Sequence, residues 1–244
     1  MANMKKILYL LIFSFGLVGC SSIDYAELTS SVSPTNYQID RILALDLSHT
    51  DSINEANKLM DPELVAAVIK ELEARKLKIE NTIIESERVA EFSEKVKVSG
   101  DGSIFEALLI SETRRRGILD DMDYQDYFLK GRVNSNGDIQ HQINLSLKYT
   151  ASERRNYTSA SICDRWQGCS EDNKIDIDIV LSDASNCTNS NCEYREIIEL
   201  NLNNEFLKSK NNDGFSLGFN SKRFTNKITI SPNYLKGYLM AINQ

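Results

Sequence analysis

Four cysteines in the second half of the chain, Cys163, Cys169, Cys187 and Cys192, are the residues whose spacing most directly implies chemistry. Three disulfide pairings are open to them. The local one, Cys163–Cys169 with Cys187–Cys192, is expected. It closes loops of seven and six residues, each contributing about 2 kcal/mol by restricting the unfolded chain. A four-thiolate zinc site is the alternative, but Cys-x5-Cys is wider than the usual ligand spacing and no histidine lies nearby. Trp166, the only tryptophan, sits inside the first cysteine loop. It reads equally as an aromatic binding tip or as the loop's own small core.

Acid–base candidates are few. The chain has two histidines. His49 falls in a polar stretch, and His141 falls on the apolar side of an alternating run, where a hydrogen-bonded interior histidine is expected. Asp120, Asp121, Asp123 and Asp126 form an acidic cluster. It lacks the glycine and the spaced glutamate of a calcium loop, so a solvated turn before a strand is expected. Paired carboxylates of the glycosidase kind cannot be singled out among 35 acidic residues. No nucleophile elbow, zinc-protease helix, P-loop or dinucleotide fingerprint is present. The expectation is therefore a non-enzymatic protein with no cofactor, no metal and no catalytic residue. Arg114, Arg115 and Arg116 form a basic run, either an interaction patch or a solvated helix end.

The N-terminus carries an address. Lys5 and Lys6 precede an apolar core at 7–15, and Leu17-Val18-Gly19-Cys20 closes the segment. This is the pattern of a secretory signal with a small-residue cleavage site. The run is too short to span a bilayer, which takes about 20 apolar residues. Residues 1–19 are expected to be removed. That leaves 26 basic side chains against 35 acidic, a net of −9, which argues against nucleic acid and against direct adhesion to an anionic membrane. The remaining 225 residues, apolar enough for a packed core, are read as a tether at 20–37 and a single domain at 38–244. An oxidising compartment agrees with the even number of remaining cysteines.

Patterning divides that domain into an α/β half at 38–133 and a β-rich half at 134–244. A nearly continuous apolar run predicts a strand at 41–48, followed by a polar loop at 49–59. Asp61 as N-cap and Pro62 at the first helical position open a helix with Leu64, Val68 and Leu72 on one face, reaching Lys76 and Lys78. A short strand follows at 79–85. Ser86 then caps a helix bearing Val89, Phe92 and Val96. Gly100-Asp101-Gly102 breaks the chain. Ser103 and Glu106 form a capping box for a helix that ends at Gly117 with the three arginines in its last turn.

Beyond this the period changes. A strand at 127–133, an Asn-Gly turn at 134–138 and six alternating positions from Ile139 to Tyr149, all apolar but His141, predict a hairpin. Further strands are expected around Ile175 to Leu181, Tyr194 to Leu202, Phe215 to Phe219 and Phe224 to Ile230. The bridge Cys187–Cys192 would fasten the turn between the first two. Ser231-Pro232 opens a final helix with Tyr234, Tyr238 and Ile242 aligned. The expected fold class is α/β (α+β), a mixed central sheet with two or three packed helices and a β-rich second half.

Two resemblances follow from these residues. The segment ending at Cys20 resembles the lipobox of bacterial lipoproteins, which implies that Cys20 is acylated (palmitate among its chains) and becomes the first residue. Ser21, rather than aspartate, after it implies delivery to the outer membrane, facing the periplasm. The order of the 42–47 strand, the helix from Pro62 to Lys76, the Thr82-to-Arg88 segment entering a helix, and Asp126-Tyr127-Phe128-Leu129-Lys130-Gly131-Arg132-Val133 entering a sheet resembles the periplasmic α/β domain of curli-secretion (CsgG-like) lipoproteins. It is also similar to the LpoB-like activators of penicillin-binding proteins. The likeness covers 40–150 and implies no catalytic residue. The expected function is a lipid-anchored binding or assembly module for an envelope partner, a peptidoglycan synthase or an assembly and secretion machine. An oligomeric secretion channel and a cell-wall enzyme are the alternatives.

Overall fold

A computed structural model describes residues 33–116, 121–164, 168–188 and 190–243. Residues 1–32, with Cys20 among them, and Gly117, Asp120 and Trp166 lie outside the described residues. The chain divides into a unit ending at Ile79 and a unit from Glu80 onward.

The first unit is helical. Helix α1 (Pro34–Leu43) is capped by Ser33, whose hydroxyl accepts from the Asn36 N–H, with Pro34 in the first turn. Helix α2 (His49–Ala56) is capped by Ser48 in the same way through Asp51. Helix α3 (Pro62–Glu94) starts on Asp61, whose carboxylate accepts from Glu63 and Leu64 N–H groups. Ile39, Ile42, Ala56, Val68 and Leu72 form the core of this unit.

These helices replace the strand expected at 41–48 and the loop at 49–59. Ile39 and Ile42, spaced by three, are the buried pair. Leu43, Leu45 and Leu47, which gave the run its strand-like look, are 47%, 51% and 40% exposed. Asp46 takes a left-handed φ of 51° in the turn after α1.

The strand expected at 79–85 and the separate helix from Ser86 are also one continuous piece of α3. No glycine or proline interrupts 63–94, and i,i+4 pairs such as Arg75 with Glu71 line the surface. Ser86 donates back to the Ile83 carbonyl instead of capping.

The second unit is a pair of antiparallel sheets. One has the order β1 (Lys97–Val98), β2 (Ile104–Glu106), β4 (Asp121–Val133), β5 (Ile139–Ala151), β9 (Cys192–Leu202), β8 (Asp178–Ser185), with β3 (Ile110–Arg116) also pairing β4. The other has the order β11 (Thr225–Ile230), β10 (Phe215–Ser221), β6 (Tyr157–Asp164), β7 (Gly168–Ile175). Every pairing among the described strands is antiparallel, so the mixed α/β class stands while the single mixed sheet becomes two antiparallel ones.

The 175–181 run is split. β7 ends at Ile175 in one sheet, and β8 begins at Asp178 in the other. The helix expected after Ser103 is absent too. Asp101 accepts from the Ser99 and Ser103 hydroxyls and from the Ser103 N–H, closing the β1–β2 turn, so Ser103 serves a turn and not a helix cap. These same bonds hold the Asp101 carboxyl down to about 2. Arg114 and Arg115 therefore lie on strand β3.

Both sheets share one core. Leu129, Ile143, Leu145, Leu147, Ile198 and Leu200 come from the first, and Ala160, Leu217, Phe219, Ile228 and Ile230 from the second. The burial of β5 alternates along its length, as its period of two requires. A short helix, α4 (Asn204–Ser209), is capped by Asn203. The last helix, α5 (Pro232–Ile242), is capped by Ser231 and buries Tyr234, Leu235, Tyr238 and Leu239. Tyr234 donates to the Leu108 carbonyl and accepts from the Leu129 N–H, tying α5 to the first sheet. Among the described residues no helix is long and apolar enough to cross a membrane.

Candidate binding surfaces

The polar centre of the second unit is Arg155, in the link from β5 to β6. Its guanidinium donates to both oxygens of Asp123 on β4, at 2.6 and 2.9 Å. The two side chains are 1% and 5% exposed. The same guanidinium donates to Tyr157 and Asn226, and the Tyr157 hydroxyl donates to Asn226 at 2.6 Å. The Arg155 backbone N–H donates to the Tyr149 hydroxyl, which donates to Glu196 at 2.7 Å. The Tyr149 ring lies 3.7 Å from the guanidinium carbon.

Burial disfavours the charged guanidinium, but the hydrogen bond to Asp123 and the neighbouring Tyr157 outweigh it, and the Arg155 pKa is raised. Burial pushes the Tyr157 hydroxyl up to about 12, against the pull of Arg155. Desolvation likewise raises Tyr127, whose hydroxyl donates to Glu112. These groups spend their hydrogen bonds on one another. Bonds from Arg155 to Asp123 and Asn226, and from Tyr127 to the Thr229 carbonyl, tie the two sheets together.

Above this network lies a cleft of about 710 Å3. The β5–β6 and β10–β11 links form its walls, with Arg154, Lys222 and Arg223, and Lys174 projects from β7. Ser159, Ser161 and Asn220 line its base, joined by a 3.0 Å bond from the Asn220 amide to Ser161. Cys169 also lines it. A second depression, about 870 Å3, lies over the first sheet with Tyr124, Asp126, Lys148, Asp183, Glu193 and Arg195. Its charges answer each other: Lys148 reaches Glu193 at 2.7 Å and, with Asn186, holds that carboxyl below its ordinary range.

The structure forms both expected disulfides, Cys163–Cys169 and Cys187–Cys192. Cys163 and Cys169 are directly opposed on β6 and β7, and an added Cβ at Gly218 on β10 would meet both sulfurs, so the bridge packs flat on that glycine. Arg114 contacts Glu112 at 3.4 Å and Arg115 is exposed; the two do not adjoin the cleft. The acidic cluster is not the solvated turn expected before a strand: Asp121, Asp123 and Asp126 are part of β4 itself, where Asp123 is buried against Arg155 and Asp126 lines the second depression. Arg155 was not legible as a site residue. It sits in an ordinary Ser-Glu-Arg-Arg-Asn-Tyr stretch, and its partner is 32 positions away.

His141 is buried, with Nδ1 and the Tyr238 hydroxyl sharing a hydrogen bond at 2.8 Å. Burial lowers its pKa; Asn204 pulls the other way and Lys208 adds to the lowering. The unfolded chain therefore takes up a proton at a higher pH than the folded one, so stability falls as pH drops below about 6.5. Thermal midpoints at pH 7.5 and 5.0 check this. His141→Asn should show the smaller acid loss, and an equal loss in both proteins would refute the assignment.

β8 is the open border of the first sheet. It pairs only with β9 among the described strands, and Ile179 and Val180 on it are 43% and 57% exposed. Its pairing slips between Ile179 and Leu181, and Asp176, Asp178 and Asp183 flank the apolar pair on exposed positions. The Cys187–Cys192 bridge closes the β8–β9 connection.

Comparison with protein-family models, curated proteins and solved structures finds no match to this chain.

Proposed function

We propose that this protein is a non-enzymatic binding module of the bacterial envelope, held to the outer membrane through Cys20 and facing the periplasm. It docks a partner protein such as a peptidoglycan synthase or an assembly machine. The observation that carries the docking role is the β8 border. An unpaired strand edge offers main-chain donors and acceptors for one further strand. Here that edge presents two exposed apolar side chains and three carboxylates, which suits an extended, basic segment of the partner. The hairpin disulfide fixes the edge before binding, which lowers the ordering cost. The anchor reading rests on the basic start, the short apolar run and Cys20; disulfides are at home in the oxidising compartment that it implies.

Site-specific crosslinking tests the docking. A photoreactive residue at 180 should trap one envelope protein through a basic, extended segment. Val180→Lys combined with Ile179→Lys should cut recovery of that protein at least tenfold without lowering the melting midpoint. Equal recovery from the charged variant, or no protein above background, would exclude β8 as the docking edge.

A further inference from the structure

We infer that the cleft beside Arg154 is a binding site for an acidic saccharide. The inference goes beyond docking through β8 and does not depend on it, since the cleft is lined by β6, β7, β10, the adjoining ends of β5 and β11 and the links between them, with no residue of β8.

Charge is the first reason. The whole chain has a formal net charge of −7. Yet Arg154, Lys174, Lys222 and Arg223 converge on one cleft, with Glu153 the carboxylate among its described lining residues. Glu153 lies 3.7 Å from Arg223, both strongly exposed, so that pair is solvent-screened and yields readily to another anion. Arg155 does not add to the excess, because Asp123 neutralises it. Its role is to pin the link that carries Arg154. Cations gathered in a concave wall raise the local concentration of an anion more than the same charges on a flat surface.

The base supplies the second reason. Register puts Ser159, Ser161 and Asn220 on the face of the second sheet opposite Ala160, Leu217 and Phe219, which enter the core. That face carries short hydroxyl and amide side chains, already linked: Thr225 donates to Oδ1 of the Asn220 side chain at 3.0 Å, and the Asn220 amide nitrogen donates to Ser161. The exposed lining groups of the same kind, Ser152, Asn156, Thr158 and Thr225, can both donate and accept, which matches a framework of ring hydroxyls. Apolar residues, whose side chains a peptide or a drug-like ligand would use, are few among the lining, namely Ala151, Cys169 and Phe224. A volume of about 710 Å3 is within the range of small-ligand sites and suits a short oligosaccharide.

Calorimetric titration of the purified full chain tests the assignment, with oligogalacturonate as the acidic saccharide. Maltohexaose serves as its neutral counterpart and oligoglutamate as an acidic peptide. The expected result is saturable binding of oligogalacturonate that weakens as salt is raised, with no binding of maltohexaose. The variant Lys174→Gln/Lys222→Gln/Arg223→Gln, all on exposed positions, should keep the melting midpoint and lose at least tenfold in affinity. The Ile179→Lys/Val180→Lys chain should bind the saccharide as the parent does, which separates this site from the docking edge. Absence of saturable binding, equal affinity in the triple variant, or oligoglutamate binding as tightly as oligogalacturonate would each overturn the proposal.

Discussion

Arg155→Met is expected to destabilise the protein by about 3–5 kcal/mol, because it leaves the Asp123 carboxylate buried without its cation. Asp123 is almost fully enclosed, and both of its oxygens receive Arg155. The same change frees Tyr157 and Asn226 from a shared donor and removes the cation stacked on Tyr149. Adding Asp123→Leu should recover much of the loss, since an apolar pair of similar size often replaces a buried ion pair at little cost. Tyr157 and Asn226 keep their own bond in that double variant. Urea unfolding reads both: the midpoint should fall with an unchanged slope in the single variant and rise again in the double. A single-variant loss below about 1 kcal/mol would put this pair in the class of exposed ion pairs instead. The link carrying Arg154 is anchored through Arg155, so saccharide affinity should fall in the single variant as well.

Gly237→Ala is the second large expectation, and local propensity gives it the wrong sign. In the interior of a helix, alanine is favoured over glycine by about 1 kcal/mol. Gly237 lies within α5, yet an added Cβ would stand 2.5 Å from the Phe92 Cβ, 2.8 Å from the Val89 carbonyl oxygen and 2.9 Å from the Ser93 nitrogen. Two of these are backbone atoms of α3 and cannot swing aside. α5 must then shift from α3, and overpacking of this kind costs about 1–3 kcal/mol. The Tyr234 ring, packed edge-on against Phe92 at 5.4 Å between centroids, would be displaced with it. Thermal unfolding should show a lower midpoint for Gly237→Ala, and a raised midpoint would mean that the helices do not touch there.

What was legible in the sequence follows from how much each pattern constrains. Six alternations from Ile139 to Tyr149 admit a single reading, because a strand one residue out of register would turn every apolar side chain to solvent. β5 and its Asn-Gly turn therefore came through with their expected bounds nearly intact. β9, α5 and the two local disulfides did so for similar reasons. Short apolar runs carry no such constraint. Residues 41–48 and 79–85 are rich in Leu and Ile and lack a decisive period; both are helical or in a helix-ending turn. Ser103 and Glu106 have the spacing of a helix cap, but Asp101 already uses Ser103 in a turn.

The amino-acid sequence by itself determined the alternating strands, the capped last helix and the cysteine pairs, because these depend on neighbours a few positions apart. Tertiary structure alone decided which charges are spent inside and which are left to bind. Arg154 and Arg155 are adjacent and chemically identical. One is drawn into the interior by a carboxylate on another strand, and the other is left at the wall of a cleft whose remaining cations come from 20 to nearly 70 positions further on. Burial of that kind is a property of the packed sheets, and no local pattern of residues encodes it.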